Sequence, residues 1–210
     1  MKKKVILFQG DSITDCGRSR EIAAPNLELG NGYVAQITAR LLADQPAANF
    51  EILNRGISGN RVVDLYARWK ADGLNLKPDL ISILIGVNDT WHEFMYRNGV
   101  EVPRYAEFYR RLLDWTLTER PKTKIILIEP FVLETGVVTK DWIKDIDARR
   151  KVVHALSEEF KAPLVPMQSI YTKAAKKAPA AYWLSDGVHP TAAGHQLMTD
   201  AWLKTASSLL

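Results

Sequence analysis

Val5-Ile6-Leu7-Phe8-Gln9-Gly10-Asp11-Ser12-Ile13-Thr14 sets four apolar residues just ahead of a glycine-led turn and a serine. A short, bounded apolar run rich in branched side chains reads as a buried strand. A serine on the turn that leaves such a strand stands where a nucleophile would be held. Far downstream, Asp186-Gly187-Val188-His189-Pro190 sets a carboxylate and an imidazole three positions apart, close enough in one turn for the first to orient the second. Two further segments, Gly56-Ile57-Ser58-Gly59-Asn60 and Gly86-Val87-Asn88-Asp89, each follow a strand-like run and offer small residues and an amide to an oxyanion.

Outward from the first strand, similar apolar runs recur at Phe50–Leu53, Leu80–Ile85, Ile125–Ile128 and, weakly, Leu164-Val165. Helix-period segments separate them: Tyr33–Leu42, Tyr105–Leu117, Trp142–Phe160, and a last helix after Pro190 that runs through Leu197, Met198, Ala201, Trp202 and Leu209. Parallel neighbours need crossover connections that are usually helical. The alternation therefore predicts an α/β protein, a three-layer α/β/α sandwich with a mostly parallel sheet of about five strands, formed by residues 1–210 as one domain. Ligands of such sheets bind beyond the carboxyl ends of the strands, where Ser12, Gly59 and Asn88 fall. The longest irregular connections, Asp15–Asn31 and Glu134–Lys140, are expected to line the same cleft.

Serine is a poor nucleophile at its free pKa and needs a base, itself held in the right tautomer by a third group. His189 and Asp186 fit those roles for Ser12, and the negative charge that develops on the substrate needs donors aimed in advance. Thr14 stands where the G-x-S-x-G elbow of α/β-hydrolases has its last glycine, which argues for a different fold with similar geometry.

In this order, the four segments resemble the SGNH, or GDSL-type, hydrolase superfamily. The resemblance implies a flavodoxin-like fold, Ser12, Asp186 and His189 as catalytic residues, and an oxyanion hole made by Ser12, Gly59 and Asn88. Ile13-Thr14 departs from the Ser-Leu of the motif name without touching a catalytic atom. Asn88-Asp89-Thr90-Trp91 and Val188-His189-Pro190-Thr191-Ala192-Ala193-Gly194-His195 are similar to intracellular acetylxylan esterases. This implies removal of acetyl groups from short xylo-oligosaccharides, no cofactor, no metal, a cytoplasmic location, and it leaves a homo-oligomer open. Trp91, three residues after Asn88, is either a sugar-stacking surface or part of the core.

Three other readings compete. A lysophospholipase or thioesterase would use the same triad. A two-metal phosphoesterase would draw on Asp11, Asp15, Asn88, Asp89, Asp186, His189 and His195, although none of the four histidines precedes the first aspartate. A noncatalytic carbohydrate module would stack sugars on Trp91, Tyr182 and Trp183, but it leaves the triad residues without a purpose. Asp11 and Asp89 are expected to cap helices or brace loops.

Composition sets the outer bounds. With 47% apolar and 25% charged residues in 210, the chain is an ordinary globular mixture. It has no apolar run near the roughly 18 residues of a membrane span. The apolar run after Met1-Lys2-Lys3-Lys4 is shorter than the roughly 7–15 residues of a signal-peptide core. The single cysteine, Cys16, excludes an internal disulfide. A net charge of +4 is spread out rather than gathered in a stripe with aromatics, so no nucleic-acid partner is expected. The densest basic group, Lys173, Lys176 and Lys177, has the spacing of a solvated helix face.

Overall fold

Alternating side chains along each strand explain the architecture. In the computed structural model, which describes residues 3–21 and 27–210, Ile6 and Phe8 point into one apolar core and Leu7 into another. A strand buried on both faces needs a covering layer on each side. The strands are β1 (Lys4–Gly10), β2 (Phe50–Asn54), β3 (Leu80–Leu84), β4 (Lys124–Ile128) and β5 (Leu164–Val165). They pair in the order β2-β1-β3-β4-β5, all parallel.

Between and after the strands lie the helices α1 (Ser12–Asp15), α2 (Tyr33–Asp44), α3 (Val62–Asp72), α4 (Val87–Tyr96) and α5 (Val102–Glu119). They are followed by α6 (Lys140–Glu159), α7 (Met167–Ala174), α8 (Ala180–Trp183) and α9 (Ala192–Ala206). One face of the sheet packs on α2, α7 and α9 through Tyr33, Ile37, Tyr171, Met198 and Trp202. The other packs on α3 and α5 through Leu65, Trp69, Tyr109 and Leu112, and α6 contributes to both cores. The expected three-layer α/β/α sandwich is the observed fold.

Strand order reverses direction at β1 and β3, and a crevice opens between the loops that leave these two strands in opposite directions. Ser12 follows β1 and Asn88 follows β3. The topology alone thus brings together two of the four segments. The strand expected over Leu80–Ile85 ends at Leu84, and the helix expected after Pro190 is capped by Thr191, whose side chain accepts from the Gly194 amide. Pro190 instead pairs with Leu184 in an isolated antiparallel bridge ahead of the helix. That helix ends at Ala206, short of Leu209. Helix α7 ends at Ala174, so Lys176 and Lys177 lie in the turn beyond it rather than on one helical face with Lys173. Part of the Asp15–Asn31 connection, residues 22–26, lies outside the described residues, as do residues 1 and 2 of the basic N-terminal run.

Trp202 joins α9 to the sheet: its ring is fully buried and its indole N–H donates to Ser82 Oγ of β3 at 2.9 Å. Trp202→Ala would leave a large cavity and an orphaned hydroxyl, and should cost about 3–5 kcal/mol in urea unfolding. A cost below about 1 kcal/mol would show that α9 is not anchored through this ring.

Candidate active site

Ser12 is the first residue of α1, so its amide has no partner within the helix. Asp11 caps that helix through a bond from the Ile13 amide to its Oδ1 at 3.0 Å. Gly10 has no room for a side chain, because a Cβ would collide with the Leu84 carbonyl and with Thr14. The serine hydroxyl thus leaves the sheet in a fixed direction.

That direction leads to His189. Ser12 Oγ lies 2.9 Å from His189 Nε2, and His189 Nδ1 lies 2.7 Å from Asp186 Oδ2. The other oxygen of Asp186 accepts the backbone amides of Val188 at 2.9 Å and His189 at 2.7 Å. Partial burial alone would raise the Asp186 pKa, but the bonds from His189 and Val188 outweigh it and hold the carboxyl below its ordinary value. An ionised Asp186 keeps the proton of a neutral imidazole on Nδ1 and leaves the Nε2 lone pair for the serine hydroxyl. His189 and Asp186 keep 38% and 34% of their side-chain surface exposed, so the site is open to dissolved substrate.

The Gly56–Asn60 loop lies beside the serine, held at almost every residue. Gly56 N–H donates to Asn54 Oδ1, Ile57 N–H to the Gly10 carbonyl, and Ser58 N–H to Asp15 Oδ2. Asn88 Nδ2 donates to the Asn60 carbonyl at 3.2 Å, and Arg68 Nε donates to Asn60 Oδ1 at 2.7 Å. A side-chain amide has a second N–H, so Asn88 can hold the loop and still donate to a substrate oxygen. Gly59 has φ +82, and a Cβ there would meet nothing within 4 Å. Its glycine is required by the left-handed backbone rather than by close packing.

Residues 8–197 match the GDSL-like lipase/acylhydrolase family. The chain belongs to that family and is an ester hydrolase. Among its relatives is the acetylxylan esterase of Geobacillus stearothermophilus, 38% identical over 205 residues that make up 95% of this chain and 92% of that one. A GDSL-like lipase from Parabacteroides merdae has a crystal structure with TM-score 0.92 and 45% identity, covering 97% of this chain and 95% of its own. The structure of the Geobacillus esterase Axe2 matches with TM-score 0.87 and 36% identity, over 96% of this chain and 93% of that one. Three of its catalytic mutants replace a serine, an aspartate and a histidine by alanine, the last two three positions apart.

The acylhydrolase uses the remaining sequence candidates differently. Trp91 is half-buried against the core: it packs edge-to-face on Trp142 at 5.3 Å and also stands 5.7 Å from the His189 ring. Asp15 braces Ser58 and pairs with Arg20, and both oxygens of Asp89 accept from the Val62 amide. His195 accepts the Tyr33 amide on Nδ1, so its Nε2–H faces Cys16 Sγ at 3.4 Å. Burial and the neighbouring His189 lower its pKa to about 4. Among the described residues no group of three metal-binding side chains is gathered as a two-metal site would require. Of the expected cleft-lining connections, Glu134–Lys140 does reach the site: Val137 N–H donates to the Asp186 carbonyl. A groove of about 900 Å³ between α2 and α9, lined by residues such as Gln36, Arg40 and Asp200, holds none of the triad. Asn54, Asn60 and Arg68 were not singled out from sequence.

Asp11 and Asp89 are buried, and burial raises both pKa values to about 7. The Ile13 amide and His189 oppose the shift at Asp11; Arg149 and the Val62 amide oppose it at Asp89. Asp11 Oδ2 is buried without a partner among the described residues, which favours the neutral acid. Both values lie above those of the unfolded chain, so the native state holds protons that the unfolded state has released. The stability they contribute is full below about pH 4 and is lost as pH rises through about 7. Asp89→Asn should therefore flatten the fall in unfolding free energy between about pH 4 and 7, by up to about 1.4 kcal/mol per pH unit. An unchanged slope in chemical denaturation would mean that Asp89 is ionised throughout that range.

Proposed function

We propose that this protein is a serine esterase that removes acetyl groups from acetylated xylo-oligosaccharides, with Ser12, His189 and Asp186 as its triad. The observation that carries the reading is the unbroken hydrogen-bond chain from Ser12 Oγ through His189 to Asp186 Oδ2. The acetyl and xylose specificity draws on the related acetylxylan esterase and on Trp91 beside His189. In the same proposal, residues 1–210 act as one hydrolase domain in the cytoplasm, without cofactor, nucleic acid or membrane. No helix among the described residues is long and apolar enough to cross a membrane.

Ser12 Oγ attacks the acetyl carbonyl carbon while His189 Nε2 takes the hydroxyl proton. The carbonyl oxygen becomes an oxyanion, met by the amides of Ser12 and Gly59 and by Asn88 Nδ2. Removing one such donor typically costs about 10²–10³ in rate. His189 then returns its proton to the departing sugar oxygen, leaving an acetyl group on Ser12. Water attacks that ester with His189 again as base, and the collapse of the second intermediate releases acetate and restores the serine. Asp186 stays ionised and holds the imidazole through both halves.

Ser12→Ala should abolish turnover, and a serine-directed phosphonylating reagent should add mass at Ser12 alone. Asp186→Asn should lower kcat by up to about 10⁴ through loss of the tautomer-fixing carboxylate. A Ser12→Ala enzyme that retains activity would end the mechanism.

For the substrate, acetylated xylo-oligosaccharide should be cleaved with higher kcat/KM than long-chain aryl esters or lysophospholipid. Trp91→Ala should lose about 0.5–1.5 kcal/mol of transition-state stabilisation on the sugar, the range of aromatic pairing, and less on a small aryl acetate. Faster hydrolysis of lysophospholipid would select a lipid hydrolase with the same triad.

A further inference from the structure

Trp91 and Phe94 lie three residues apart on α4, and so on neighbouring positions of one helix face. The two rings flank Trp142, whose own ring is only 2% exposed. Trp91 meets it edge-on, and Phe94 stacks on it with centroids 5.6 Å apart and planes 30° apart. Phe94 nevertheless leaves 44% of its surface to solvent. It therefore presents an open aromatic surface, backed by a buried indole, three residues along α4 from the ring beside His189.

Phe94 forms one wall of a pocket of about 380 Å³ completed by Asp141, Lys144, Asp145 and Ala148 of α6. Asp145 is fixed in place by Thr90 and by buried Arg149. The pocket thus combines an aromatic ring and a methyl group with two carboxylates and an ammonium. A sugar offers hydroxyls that both donate and accept, together with an apolar ring face for an aromatic wall. The lining of one aromatic face and a few placed polar groups is that of a small-ligand site.

We infer that Phe94, with Asp141, Lys144 and Asp145, forms a second sugar subsite, which holds a neighbouring unit of the oligosaccharide whose acetyl group is at Ser12. The inference rests on the acetyl-sugar reading above, and makes the enzyme selective for chains over single sugars. Trp91 and Phe94 share Trp142 as their backing, which links the pocket to the ring beside His189.

The test compares acetylated methyl xyloside with acetylated xylotriose on wild type, Phe94→Ala, Phe94→Leu and Phe94→Tyr. Wild type should favour the trisaccharide. In the Ala and Leu variants, the ratio of kcat/KM for trisaccharide to monosaccharide should fall by about 3–10-fold, mainly through KM, in keeping with the loss of one aromatic contact. The Tyr variant should restore it. Equal losses on both substrates, or no loss in the Ala and Leu variants, would overturn the subsite and reduce Phe94 to a cover for Trp142. Wild-type enzyme that cleaves aryl acetate but neither saccharide would overturn the acetyl-sugar reading, and the subsite with it.

Discussion

The Gly56–Asn60 segment is enclosed only at Gly56, yet it finds most of its backbone partners outside itself. An unpaired buried N–H or C=O costs about as much as a lost hydrogen bond. Asn54, Asp15, Asn88 and Arg68 satisfy the loop from four separate elements. Arg68 also donates to the Gly10 carbonyl, two residues before Ser12. The same bonds that remove the cost of burial therefore set the oxyanion loop against the serine turn. Asp89 extends the system by accepting the first amide of α3, directly after that loop. Geometry at the site is a by-product of backbone accounting beneath it.

This division explains what could be read in the chain before its structure. The sheet was legible because Val5–Phe8, Leu80–Leu84 and Ile125–Ile128 are short, bounded and rich in branched residues, and a parallel sheet buried on both faces demands such runs. The hydrogen-bonded trio of Ser12, His189 and Asp186 was legible because Asp186 and His189 are neighbours in sequence and Ser12 follows a strand directly. Asn54, Asn60 and Arg68 were not, since their importance lies wholly in partners distant along the chain, and an asparagine at a strand end looks like any turn residue. The backbone of Gly59 was not legible either: its left-handed φ of +82 calls for glycine, and only the folded loop reveals it. For Trp91 the core reading is visible in its packing on Trp142, and its place 5.7 Å from the His189 ring could not be read from spacing along one helix.

Several buried ionisable groups of this protein gather where the loops meet. Asp11, Asp15, Asp89 and Arg149 are all nearly inaccessible, and removing one partner of such a group typically costs several kcal/mol. A core made only of aliphatic side chains would be cheaper to bury. It could not hold three loops from different strands in a single register, since apolar contacts carry little directional information.

The Asp186–His189 turn is complete in itself: the carboxylate binds both the amide and the ring of the residue it orients, and the Leu184–Pro190 bridge closes the segment at its base. Within the Ser12–His189–Asp186 trio the contact between Ser12 and His189 spans the chain, and it depends on where α9 sits, since that helix begins three residues after the imidazole. Turnover is then a gauge of how α9 seats on the sheet. Agents that loosen this helix, such as mild heat or low denaturant, would silence the enzyme while most of its secondary structure persists, and activity would return only when the two ends of the fold meet again.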